Sequence, residues 1–176
     1  RSLERYISPG TRLGRTRDML NVLMDRSPED LDLRWFAADT DRQAGDLESA
    51  AERFASMADL PKLPVSLEGW VRFDRMRRAW FNQAMIELEL GSGPEGDGDR
   101  LVKAVALRDR LRGSVAEDNV QVLLLDGRIA EAEGKRNEAL RLYRRFNERT
   151  LNDRAEGLRY EARMAMLLGQ TGTTAP

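Results

Sequence analysis

Glycines at positions 45, 91, 134 and 169 share one neighbourhood. Seven residues before each stands a small residue: Ala38, Ala84, Gly127 and Ala162. Eleven before stand Arg34, Trp80, Leu123 and Leu158. After two of the glycines the likeness continues, with Ala50 and Ala139 five residues on and Phe54 and Tyr143 nine on. This spacing has a direct physical meaning. Glycine tolerates the left-handed backbone that closes a helix. A small residue on one helix lets the next approach, an alanine on that next helix does the same from its side, and an aromatic fills the wedge. The pattern predicts a series of helix hairpins, each with an apolar side it cannot bury alone and buries by stacking.

The rest of the chain agrees with an all-helical fold. Apolar residues recur at three and four, and useful strand alternation is missing. Helices are expected near 12–26, 28–44, 47–58, 68–89, 99–112, 115–133, 136–149 and 152–168. Ser27-Pro28-Glu29-Asp30 reads as a helix start, with serine at the N-cap and proline at the first helical position. Ser114-Val115-Ala116-Glu117 reads as a capping box, and Thr150-Leu151-Asn152-Asp153 as a weaker start. Two joints are longer. One carries Pro61 and Pro64; the other, 91–98, is Gly-Ser-Gly-Pro-Glu-Gly-Asp-Gly and is expected to be a flexible insertion. Residues 1–11 form an N-terminal segment, 12–168 the repeat domain, and 169–176 a polar, disordered tail. In helix 12–26, Thr16, Leu20 and Leu23 are expected to be buried. The chain opens on Arg1, which reads as a segment of a longer or processed chain with further repeats upstream.

Composition removes whole classes of chemistry. The 176 residues include no cysteine and no histidine. Thiolate metal sites, disulfides, imidazole bases and serine–histidine triads are therefore excluded. No glycine-rich phosphate loop ends in lysine. Glu87/Glu89 and Glu131/Glu133 are spaced by two, which turns them to different helix sides. Asp97-Gly98-Asp99 lacks the remaining oxygen ligands of a calcium loop. No cofactor, metal or catalytic set is expected. Basic and acidic residues number 29 and 30, so no global field draws in nucleic acid. Arginine supplies nearly all the basic residues, since lysine occurs only at 62, 103 and 135; a single arginine is thus weak evidence of a site. No apolar run approaches the 18 or so residues that span a membrane. Lack of cysteine leaves the compartment open.

The offsets resemble those of the tetratricopeptide repeat family, whose 34-residue pattern sets a large residue, a small residue, a glycine turn, an alanine and an aromatic in order. Leu123, Gly127, Gly134, Ala139 and Tyr143 match it in one unit, and Ala38, Gly45, Ala50 and Phe54 in another. There are departures. The family's tyrosine position holds Asp41, Glu87 and Ala130, and Lys103 stands where an alanine should follow Gly98. The glycines lie 46, 43 and 35 residues apart (45 to 91, 91 to 134, 134 to 169). The resemblance implies a right-handed superhelix of stacked antiparallel hairpins whose first helices line a concave groove.

Carried onto this chain, the groove positions of the family give Asp32, Trp35, Asp39 and Arg42; then Arg78, Phe81, Met85 and Leu88; then Gln121, Leu124, Arg128 and Glu131; then Glu156, Arg159, Arg163 and Met166. The expected partner-binding residues are Trp35, Arg78, Phe81, Met85, Leu124, Arg128, Arg159 and Arg163. Arginine grips carboxylates two-pronged and aromatics anchor interfaces. The expected partner is a protein or peptide of acidic or carboxylate-bearing character, bound by a module that is not an enzyme. Three alternatives stand beside it: a scaffold using convex or edge surfaces, an RNA-binding helical repeat, and an enzyme. The clusters Arg72/Arg75/Arg77/Arg78 and Arg141/Arg144/Arg145 raise the RNA alternative, but no stacking aromatic recurs at a fixed offset. Trp80 is expected in the core; Trp70 either covers the core end or marks a contact surface.

Overall fold

The computed structural model describes residues 9–58, 67–92, 97–116, 119–150 and 166. Among them lie seven α-helices and no strand: α1 (Pro9–Arg26), α2 (Leu31–Gln43), α3 (Leu47–Ala58), α4 (Leu67–Leu90), α5 (Gly98–Arg112), α6 (Val120–Ala132) and α7 (Arg136–Arg149). The fold is all-α. None of these helices is long and apolar enough to cross a membrane. The chain divides into two compact units, Arg1–Ile86 and Glu87–Pro176. The expected helix 152–168 apart from residue 166, the tail, Trp70's side chain and residues 93–96 of the 91–98 insertion lie outside the described residues.

Each unit is built on one hairpin, α2–α3 in the first and α6–α7 in the second. The two close alike. Gly45 (φ 81°) and Gly134 (φ 76°) take the left-handed backbone. The amide after each glycine donates back five residues, Asp46 N to Asp41 O at 2.9 Å and Lys135 N to Ala130 O at 2.8 Å. The glycine amides donate to Arg42 O and Glu131 O, at 3.1 and 3.0 Å. These bonds satisfy the carbonyls a helix end leaves open. Gly91 plays another part. Its amide continues the helical ladder to Glu87 O at 2.9 Å, and a Cβ there would lie 3.0 Å from Arg100 Cβ. It is a close-packing glycine under α5, not a left-handed stop.

The small residues and aromatics of both hairpins are buried, and in the second they meet. Ala38, Ala50 and Phe54 are wholly buried, as are Ala139 and Tyr143. A Cβ on Gly127 would come within 2.5 Å of the Tyr143 ring. The antiparallel sense of α2–α3 is visible where Arg34 donates to Ser56 O at 3.3 Å. Trp80 is buried at 7 % exposure.

Two helix starts fall later than the sequence predicts. Ser27 and Pro28 form a turn, Asp30 N donating to Ser27 O, and Asp30 is the cap: its carboxylate accepts from Asp32 N and Leu33 N. Proline fits the second position of such a turn as well as the first of a helix. Likewise Asn119, not Ser114, caps α6, accepting from Gln121 N and Val122 N. Ser114 Oγ instead donates to Leu111 O at the end of α5.

Helix α1 is also rotated from its expected face. Leu20 is buried, but Thr16 and Leu23 are exposed. The inward face carries Arg17, Asn21 and Met24, and the cause is Asp41. That carboxylate has no exposed side-chain surface and lies between two guanidiniums, Arg17 Nε at 2.8 Å and Arg53 Nε at 2.6 Å. Arg53 also donates to Asn21 Oδ1 at 2.8 Å. A buried carboxylate persists only when paired and hydrogen-bonded, so α1 turns its polar edge inward to supply the partner. Glu87, at the same motif position in the second unit, is 3 % exposed and is met by Arg100 at 2.8 Å.

Arg17 reaches a second acid. Its hydrogen bond holds the Asp46 carboxyl below the ordinary carboxylate range, assisted by the backbone and hydroxyl of Ser49. A depressed carboxyl stabilises the fold above its unfolded pKa and loses that contribution as pH falls through the folded one. The expected result is that Asp46→Asn destabilises the chain at about pH 6, and that the difference from wild type shrinks towards zero below about pH 3. Urea midpoints across that range check it; a gap independent of pH would mean the charge on Asp46 contributes nothing.

Candidate functional site

Within the first unit, a side chain of α4 reaches α2. Arg75 of α4 joins them: its Nη2 is 2.7 Å from Asp32 Oδ1, and its guanidinium sits over the Trp35 ring at 5.8 Å. Trp35 in turn meets Phe54 edge-to-face, centroids 5.2 Å apart. One side of Trp35 therefore belongs to the core, and the indole is held rigid between an arginine and a phenylalanine. Along α4 the expected positions Phe81 and Met85 are half-buried, and Arg78 is exposed. Their steps of three and four keep them on one side of the helix. Asp32, Trp35, Asp39 and Arg42 do the same along α2. Four of the eight expected partner-binding residues lie on these two helix sides, Trp35 on α2 and Arg78, Phe81 and Met85 on α4, and Arg75 links the two helices into an α2–α4 face.

The charges on it are already matched. Arg78 pairs with Asp74 at 2.8 Å, Arg77 with the same acid at 2.9 Å, and Arg42 with Asp39 at 2.7 Å. The basic cluster of α4 is thus largely answered by acids on its own and the neighbouring helix. An incoming carboxylate exchanges for Asp74 or Asp39 and does not meet an unopposed cation.

The other four expected residues are placed differently. Leu124, like Leu88, is 3 % exposed and belongs to the core of the second unit. It is one of four consecutive buried residues, Val122 to Leu125, in a helix that neighbours cover on more than one side. Arg128 keeps 11 % of its side chain exposed and lies 3.7 Å from Glu131. The Glu131 carboxylate also accepts from Tyr143 Oη at 2.6 Å. Arg159 and Arg163 lie outside the described residues. Sequence offsets did not single out Arg75, the residue that ties the face together; its only signal was membership of the cluster at 72–78.

Comparison with protein-family models gives no match for this sequence, and comparison with the curated proteins gives none either.

Proposed function

We propose that the chain is a tetratricopeptide-like repeat module, its hairpins stacked as a right-handed superhelix, that binds a protein or peptide segment and carries out no catalysis. The observation that carries this is the α2–α4 face, where Arg75 of α4 is held against Trp35 of α2 while Phe81 and Met85 are half-buried and Arg78 exposed along one side of α4. Aromatic and arginine side chains held in place on packed helices are the usual anchors of protein interfaces. Ion pairs around them form a polar margin that sets specificity more than affinity. The segment that suits the face offers an apolar side chain to Phe81 and Met85 and a carboxylate to Arg78.

The test is to capture a partner from the native organism and measure its affinity for wild type and for Phe81→Ala with Arg78→Ala. Both positions keep solvent contact, so the variant should fold. Loss of an aromatic anchor is expected to weaken binding by at least about 2 kcal/mol, and added salt should weaken the arginine share. Unchanged affinity in a folded variant would remove the α2–α4 face from the interface.

A further inference from the structure

The side of α1 that turns away from the fold is its apolar one. Asp41 draws Arg17 to itself, and Asn21 turns inward with it to meet Arg53. Met19, Val22 and Leu23 are left outside, at 57, 52 and 37 % exposure. They are three of the six large apolar side chains that stand exposed among the described residues. The other three are dispersed over α2, α5 and residue 166, so only α1 gathers a stripe, its members three and four residues apart on one helix side. An apolar patch with polar margins marks a contact surface, whereas single exposed hydrophobics need no explanation.

The same side carries arginine at both ends. Arg12 and Arg15 precede the apolar residues and Arg26 follows them, again at steps of three and four. All three are exposed, and among the described residues none of them has an ion-pair partner. Asp18 and Asp25 are exposed as well, and Asp18 acts on Arg17. Each stands one residue before a member of the stripe, hence about 100° round the helix, and the two line one edge. Along its axis the stripe therefore reads cation, aliphatic, cation, with Arg15 and Arg26 about 16 Å apart.

We infer that this stripe docks an amphipathic helix of a separate protein, one whose apolar side carries a carboxylate at each end, about three turns apart. Charge complementarity selects it. Guanidiniums hold carboxylates in two-pronged contacts, and opposite charges at both ends of an apolar strip fix the register. Methionine and arginine are enriched in separable interfaces, and arginine is rare in the core of a single chain. Leu20 and the contacts around Asp41 already hold α1 from its inner side, so the stripe is free to gain and lose a partner. A second copy fits less well. An antiparallel pairing that sets Met19 against Val22 sets Arg15 against Arg26, and a parallel one sets each arginine against itself. An anionic membrane meets Asp18 and Asp25 along one edge. The proposal rests on α1 and does not depend on the α2–α4 face.

The test is an NMR titration of the ¹⁵N-labelled chain with a blocked peptide of about 18 residues, long enough to form a helix. It carries leucines at helical spacing and a glutamate one turn beyond each end of them. Three controls accompany it: the same peptide with lysine for those glutamates, vesicles of phosphatidylcholine with phosphatidylglycerol, and a concentration series of the chain alone. Amide shifts should cluster on α1 and saturate below about 1 mM. Met19→Gln with Val22→Gln should weaken binding at least about tenfold. Val102→Ser, an exposed apolar position on α5 of the other unit, should leave it unchanged. Arg15→Glu with Arg26→Glu should reverse the preference in favour of the lysine peptide. All these variants alter exposed side chains, equal thermal melts confirm their folding, and the apolar and charge-reversed pairs each test the stripe alone. The proposal is overturned by no saturable change, by equal binding of the lysine peptide, or by equal loss in Val102→Ser. Shifts on α1 that appear on concentrating the chain alone would give the stripe to a second copy, and vesicle binding in preference to the peptide would give it to a membrane; either overturns the proposal. Shifts confined to α2 and α4 would also overturn it while supporting the first face, so the two sites fail separately.

Discussion

Replacing Asp41 by alanine is expected to lower stability by about 2–4 kcal/mol, and replacing Arg53 by leucine in the same chain to restore part of that loss. Asp41 has no exposed side-chain surface, while Arg17 and Arg53 keep 35 % and 25 % of theirs. Removing the acid leaves two cations facing each other across the space it occupied. Each has some escape to water and other partners, Asp46 and Ser49 for Arg17, Asn21 and Met24 for Arg53. That puts the cost at or below the roughly 3–5 kcal/mol expected for a fully buried pair. The second hairpin indicates the remedy. Four residues before and eight after its stop glycine stand Ala130 and Leu142, both buried, where the first hairpin has Asp41 and Arg53. Asp41→Ala with Arg53→Leu transplants that apolar pair. Buried ion pairs are often matched in stability by apolar residues of similar volume, so the cycle should show a coupling of at least about 1 kcal/mol. Trp35, Trp70 and Trp80, the three tryptophans, all belong to Arg1–Ile86. Urea melts followed by their fluorescence therefore report this unit. A single variant within about 0.5 kcal/mol of wild type, or strict additivity, would show that the cage is not coupled.

The cage also marks where sequence reasoning reached its limit. Helix type, hairpin order and close packing at Ala38, Gly127, Ala50 and Ala139 follow from spacing, because a 3.6-residue period and a small residue at a crossing are local facts. Asp41 stood out only as a departure from a pattern. Nothing local says that an acid at that position is buried, or that Arg17, on another helix, will turn to meet it. The same holds for the displaced caps. Ser27 and Asp30, or Ser114 and Asn119, are both competent N-caps, and the choice between them depends on how the preceding turn packs. Of the candidate site, periodicity says which positions of α2 and α4 share a side, and Trp35, Phe81 and Met85 there are half-buried. On α6, Leu124 and Arg128 share the offset of Phe81 and Met85 but are covered. An offset fixes a direction from the helix axis; burial depends on what lies in that direction.

Gly127→Ala is the converse transplant and sets two effects of opposite sign against each other. Alanine favours a helix interior over glycine by about 1 kcal/mol, which alone would stabilise α6. Against it, the new Cβ would lie 2.5 and 2.7 Å from Cε1 and Cδ1 of Tyr143, distances at which something must move. The ring is wholly buried, and its hydroxyl is held by Glu131, one turn beyond Gly127 on the same side of α6. That bond draws the ring along α6 and over the glycine, so the ring cannot swing away without breaking it. Overpacking of this kind costs about 1–3 kcal/mol, and the expected net result is a loss of up to about 2 kcal/mol. The first hairpin already holds the alternative, since Ala38 and Phe54 occupy the same two offsets, both buried, with no hydroxyl on the ring. Tyr143→Phe alone should lose the hydroxyl bond, about 1 kcal/mol. In that background the ring is released, and Gly127→Ala should become neutral or stabilising because the helix preference is no longer opposed. Amide exchange of α6 and α7 reads the effect in this unit, which contains no tryptophan. If Gly127→Ala is equally harmful with tyrosine and with phenylalanine at 143, the hydroxyl does not position the ring, and the glycine serves a close approach of the helices themselves.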